Sequence, residues 1–255
     1  MKTSIPDPSV DPAAGASAGR TGLGVLLITD ALLAFVPVVV LGAAIGWPAS
    51  LGAPAAEQLA GIAAHPAAVA LGYGVYLLYS LLVAPVMIGL AARTFGGLAS
   101  PLAATVAAFG VLSALARAIG ILRWLTVMPM LAAAHAGAGA DPVLRQQIEW
   151  LFRGLTAYGG GIGEVLGVSL LMAASVGTLA VAALVRGGMP RWLAGAGVLT
   201  AALLAALSSP VFRGPEMVPV AVAVSALSVW MAAAGGWVMR RAPASSGLRV
   251  ASAGR

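Results

Sequence analysis

Polar residues are so sparse along this chain that they serve mainly to mark boundaries between apolar runs. Six runs of predominantly apolar residues cover roughly 22–46, 68–92, 100–134, 160–186, 192–209 and 217–239. About 20 such residues suffice for a helix to cross the hydrocarbon core of a bilayer. The pattern therefore predicts an all-α, polytopic membrane helix bundle of about six transmembrane helices. Pro48, Pro101, Pro190, Pro210 and Pro215 fall at the ends of the runs, where helices start and stop. The third run is too long for one straight crossing, and Pro129 is expected to bend it or turn its end into the interface. The fifth is the shortest. The first starts late and is too long for a cleavable signal, so it reads as an anchor. Residues 1–21 and 242–255, rich in small and polar residues, read as disordered tails around a transmembrane domain over 22–241.

Composition agrees: 60% of the residues are hydrophobic and only 9% charged, against about a quarter charged in an ordinary soluble domain. The net charge of +6 does not call for nucleic acid, because the basic residues are dispersed between apolar runs. With the N-terminus placed inside, Lys2, Arg20, Arg93, Arg186, Arg191, Arg240, Arg241, Arg249 and Arg255 lie on the cytoplasmic side. Only Arg145, Arg153 and Arg213 lie outside. Retention of Lys and Arg in cytoplasmic loops thus explains the basic character and puts both termini in the cytoplasm. The Ala, Gly and Arg bias points to a GC-rich bacterial genome, and so to a multi-pass protein of the bacterial inner membrane.

Four charged residues fall inside the runs: Asp30, Arg117, Arg123 and Glu164. An ionisable residue within a span costs roughly 2.5–3.5 kcal/mol to insert, which makes it a candidate functional group. At a rise of about 1.5 Å per residue, Arg117 lies roughly 25 Å and Glu164 roughly 33 Å from the inner ends of their spans. Arg123 is at a similar height, whereas Asp30, roughly 12 Å up, belongs to the inner half, alone or near Arg93. Height favours Glu164 pairing with Arg117 or Arg123. Gly159, Gly163 and Gly167 recur every four residues beside Glu164, a small-residue stripe that admits another helix backbone closely. The carboxylate is accordingly expected in a helix–helix seam. Arg123, next to Trp124, reads as an interfacial anchor or ion-pair partner. Tyr73, Tyr76 and Tyr79 recur every three residues in the outer half of the second run; they form either a packing belt or the wall of a binding pocket.

Catalytic and cofactor chemistry finds little support. The chain has no cysteine, no H-E-x-x-H and no paired aspartates for a metal-bound diphosphate. GASAG at 15–19 matches a nucleophile-elbow pattern in spelling alone. His65 and His135 lie at span ends without helical spacing, which argues against haem. Neither a cofactor, nor a metal, nor an enzymatic activity is expected.

The segments ARAIGILRWLTVMPMLA, YGGGIGEVLGVSLLMAA and RGGMPRWLAGAGVL together resemble a family of uncharacterised bacterial six-helix membrane proteins known only as a domain of unknown function. The resemblance covers roughly residues 20–240, with Pro190-Arg191-Trp192-Leu193 as its most recognisable element, and implies a fold but no activity. Two functional expectations stand. The first is binding or transport of a small amphipathic or anionic molecule in an outward-facing polar pocket. There Arg117 neutralises the acidic group, Glu164 orients Arg117, and Tyr73, Tyr76 and Tyr79 line the wall. The second is a non-catalytic accessory subunit that docks another membrane protein through the glycine stripe, with the charges as internal struts.

Overall fold

The computed structural model describes residues 12–240; the segments 1–11 and 241–255, which hold part of the expected N-terminal tail and all of the expected C-terminal one, lie outside the described residues. All regular structure among the described residues is helical. The first crossing is α1 (Pro12–Leu33) continued by α2 (Phe35–Ile45). Its helix begins about ten residues before the expected span, so residues 12–21 are helix. Pro37 offers no N–H to the Leu33 carbonyl, and the helix breaks at Ala34. A short amphipathic α3 (Ala55–Ala64) follows, then the unbroken α4 (Pro66–Phe95).

The third crossing is α5 (Pro101–Leu125), continued at an angle by α6 (Val127–Gly137). Pro129 removes the donor for the Leu125 carbonyl, so the expected bend falls at Thr126. The fourth begins earlier than expected, with α7 (Pro142–Gly160). It passes through a π-helical stretch, Gly161–Leu171, into α8 (Met172–Arg186). Last come α9 (Arg191–Ala206) and α10 (Val220–Met239).

Five helical segments are long and apolar enough to cross a membrane, and α9 is a shorter apolar helix. Packing nevertheless makes α9 a sixth crossing. A Cβ placed on Gly177 of α8 would meet Ala201, and one on Gly197 would meet Ala180 and Trp230. Helix α9 thus runs antiparallel to both neighbours. Gly24 of α1 lies against Gly235 and Met239 of α10, so those helices are antiparallel as well. Arg20, Arg93, Arg186, Arg191 and Arg240 consequently gather at one end of the bundle, where the Arg93 guanidinium stands 5.2 Å from the centre of the Trp237 ring. Arg145, Arg153 and Arg213 lie at the far end.

Without a hydrophobic drive between helices in lipid, close approach and interhelical hydrogen bonds hold a bundle. Ser113 Oγ donates to the Gly167 carbonyl at 2.7 Å, Ser169 Oγ to Leu204 at 2.6 Å and Ser175 Oγ to Val106 at 2.8 Å. Trp230 Nε1 donates to the Leu193 carbonyl at 3.0 Å. Two apolar cores result. One joins α1, α4, α5 and α8–α10 around Leu27, Met87, Met172 and Met231. The other, at the far end, joins α2–α7 around Leu59, Tyr73, Trp124 and Phe152.

Helix α7 starts on a cap legible in its residues: Asp141 accepts from the Val143 and Leu144 amides at 3.0 and 3.1 Å, with Pro142 following. Asp141→Ala is expected to lower stability by about 1 kcal/mol, read as a fall in the thermal unfolding midpoint of the solubilised protein. A midpoint equal to that of the wild type would show the cap to be dispensable.

Candidate functional site: a cleft at the far end

The far end holds a cleft formed where the loop after α2 folds back over α3, α4 and α5. Gln58 Nε2 pins that loop by donating to the Ala53 carbonyl at 2.8 Å and the Leu51 carbonyl at 3.3 Å. The upper chamber, of about 140 Å³, is lined by Ile45, Trp47, Leu51, Glu57, Tyr73 and Trp124 among others. A smaller chamber of about 30 Å³ shares Trp47, Leu51, Tyr73 and Trp124 and is also lined by Tyr76, Arg117, Arg123 and Glu164. The Tyr73 and Trp124 rings, common to both, lie stacked with centroids 4.8 Å apart.

The arginines take different partners from those expected. Arg117 does not meet Glu164. It is 2% exposed, its Nη1 donates to Tyr79 Oη at 3.2 Å, and its guanidinium stands 5.3 Å from the centre of the Tyr79 ring. Glu164 pairs with Arg123, Oε1 to Nη2 at 4.0 Å, while Arg123 Nη1 donates to the Gly120 carbonyl at 2.8 Å. Nor does Glu164 point into the seam: its side chain is 58% exposed.

The π stretch explains both departures. In an α-helix, residues four apart drift by about 40° per step, and the wider i→i+5 turn of a π-helix offsets that drift. Gly159, Gly163 and Gly167 therefore form one line against α5, and Glu164 stands to its side. A Cβ on Gly167 would lie 3.0 Å from Arg117 Cγ, and one on Gly159 would lie 2.5 Å from Arg123 Nη1. One on Gly120 would lie 2.6 Å from the Gly163 Cα. The stripe thus seats both arginines and the α5 backbone. It is filled within the chain, which leaves the accessory-subunit reading without its docking face.

Asp30 is also placed differently. It is fully buried, and among the described residues neither carboxyl oxygen has a hydrogen-bond partner. Among the described residues it closes no ion pair with Arg93 or Arg117, and the Arg93 guanidinium stands against the Trp237 ring instead. Leu23 of α1 lies against Gly89 of α4, so Asp30, seven residues further on, stands well above the level of Arg93.

The tyrosines divide their roles. Tyr73 stacks on Trp124 and Tyr79 holds Arg117. Tyr76 packs between Tyr79 and Trp47, at 5.9 and 6.0 Å between centroids. Tyr73 and Tyr76 line the cleft, whereas Tyr79 stands behind Arg117. Sequence reasoning missed Trp47, Leu51, Gln58 and Ser80. The one signal available was Gly46-Trp47-Pro48, a helix stop carrying a large aromatic. Outside the cleft, Glu149 accepts from His135 at 3.3 Å and forms an ion pair with Arg153 at 3.5 Å.

Six antiparallel crossings, lipid-facing residues such as Leu78, Leu115 and Val229, and a polar cleft sunk between helices define a multi-pass integral membrane protein. The chain belongs to the family described as domain of unknown function DUF4386, whose model matches residues 23–240. No curated protein and no solved structure matches it.

Proposed function

We propose that the protein binds, and by extension moves, a small molecule with an anionic head through the far-end cleft. The observation that carries this reading is Arg117, a buried guanidinium lining the cleft whose hydrogen-bond partner among the described residues is the Tyr79 hydroxyl. Among the described residues no anion touches this guanidinium, a costly state inside a membrane span, and an anion entering the cleft supplies that contact. Arg123 is already engaged by Glu164, so Arg117 takes the head group and the Glu164–Arg123 pair flanks it.

The upper chamber limits the rest of the ligand. A cavity of ~150 Å³ accommodates one benzene, so about 140 Å³ suits a single ring or a short chain. Trp47, Tyr73 and Trp124 offer flat apolar walls, the setting in which a few convergent polar groups fix orientation. The arginine-rich end then faces the cytoplasm of a bacterial inner membrane, in keeping with the retention of basic residues on that side, and the cleft opens outward.

Benzoate, one ring with one carboxylate, is a suitable probe. In lipid nanodiscs it is expected to quench tryptophan fluorescence saturably, because Trp47 and Trp124 line the cleft. Arg117→Gln is expected to weaken that response roughly tenfold or more, as loss of a charge-assisted hydrogen bond does. The exposed far-end change Arg213→Gln is expected to leave it unchanged. Equal responses in all three proteins would overturn the reading.

A further inference from the structure

Asp30 and Arg117 sit at one level of the bundle. A Cβ on Gly89 of α4 would meet Leu23 of α1, and one on Gly72 would meet Leu41 of α2. Asp30, seven residues beyond Leu23, is therefore level with the turn of α4 around Leu82. Gly110 of α5 likewise lies against Met87, which sets Arg117 level with Ser80, in agreement with its hydrogen bond to Tyr79. Ser80 stands at the middle of α4. It is fully buried, and among the described residues its Oγ has no hydrogen-bond partner. Asp30, Ser80 and Arg117 thus form a polar layer at mid-depth.

Few groups bear on Asp30. Helix α4, packed on α1, places Tyr79 and Ser80 near its level, and α5, on the other side of α4, places Arg117 there. Helix α10, which also packs on α1, carries no titratable residue between Val220 and Met239, and α2 carries none. Glu164 is engaged by Arg123.

The geometry points to Asp30 as a proton-binding site governed by the charge state of Arg117, so that one proton accompanies each anion into the bundle. This rests on the anion reading of the cleft and adds its coupling ion. The argument is charge conservation where an unbalanced charge costs most. With the cleft free of anion, ionised Asp30 balances Arg117. With an anion on Arg117, ionised Asp30 would leave a net negative charge at mid-depth, and a proton from the aqueous phase, bound to a carboxyl oxygen, restores neutrality. The two carboxyl oxygens without partners leave room for that exchange.

The test is the infrared carbonyl band of a protonated carboxyl, read at neutral pH on the full chain in lipid vesicles. Saturating benzoate is expected to raise the ratio of protonated to ionised Asp30 roughly tenfold, the size of effect a nearby counter-charge exerts. Arg117→Gln is expected to do the same without benzoate. Arg117→Lys, which keeps the charge, is expected to match the wild type, and Asp30→Asn to lack the band. A band insensitive to both benzoate and Arg117→Gln would overturn the proposal, as would a responsive band that survives Asp30→Asn. A band that grows in Arg117→Gln but not with benzoate would uphold the Arg117-governed proton site and count against the anion cleft instead.

Discussion

Gly120→Val is expected to destabilise the protein by about 3 kcal/mol, at the upper end of what overpacking a filled interior costs. The reason is the material on the other side of the seam. A Cβ at Gly120 would lie 2.6 Å from the Gly163 Cα, 2.9 Å from the Gly159 carbonyl oxygen and 3.0 Å from the Gly163 nitrogen. All three are backbone atoms, so no flexible side chain can swing aside. The strain would have to be relieved by parting α5 from the π stretch, which also unseats Arg117 and Arg123 from Gly167 and Gly159. Thermal unfolding followed by size-exclusion chromatography in mild detergent would read the loss. Gly161→Ala, in the same stretch but with nothing within 4 Å of its added carbon, is the matched control and should unfold with the wild type. Equal midpoints for Gly120→Val and Gly161→Ala would show that the seam is not what holds the cleft together.

The reach of the sequence follows from the same physics. Spans are legible because the bilayer dictates their length and hydropathy, and the kink near Pro129 is legible because proline removes a known hydrogen bond. The glycine stripe announced a close helix contact, and α5 fills it. Pairing of the buried charges was not legible. Height along a helix can be counted, but which residues meet depends on rotation about the axis. The π stretch changes that rotation between Gly159 and Gly167, without any residue pattern that signals a π turn. Asp30, expected alone or near Arg93, is instead near the level of Arg117, because the offsets between neighbouring helices, which set Leu23 against Gly89 and Gly110 against Met87, cannot be counted from the runs alone. Trp47 and Gln58 escaped because loops between spans carry no periodicity to read.

Arg117→Leu is expected to cost about 3 kcal/mol, the lower end of the range for removing one member of a buried charge pair. Asp30 and Arg117 share a level of the bundle but close no ion pair among the described residues, which places the effect at that lower end. The variant leaves Asp30 without its counter-charge and Tyr79 Oη without its donor. A proton on Asp30 removes the charge but still leaves a desolvated carboxyl with no hydrogen-bond partner. Adding Asp30→Leu should recover most of the lost stability, since replacing both members of a buried pair by apolar residues is often neutral. Benzoate binding should not return in that double variant, because the guanidinium that meets the carboxylate is gone. Unfolding midpoints and tryptophan quenching on the same four proteins (wild type, two single variants and the double) separate the two roles of Arg117. A double variant as unstable as Arg117→Leu alone would mean that Asp30 and Arg117 are not coupled across α1 and α5. A stable double variant that still binds benzoate would mean that the head group is held elsewhere in the cleft, with Arg123 as the remaining cation in its lining.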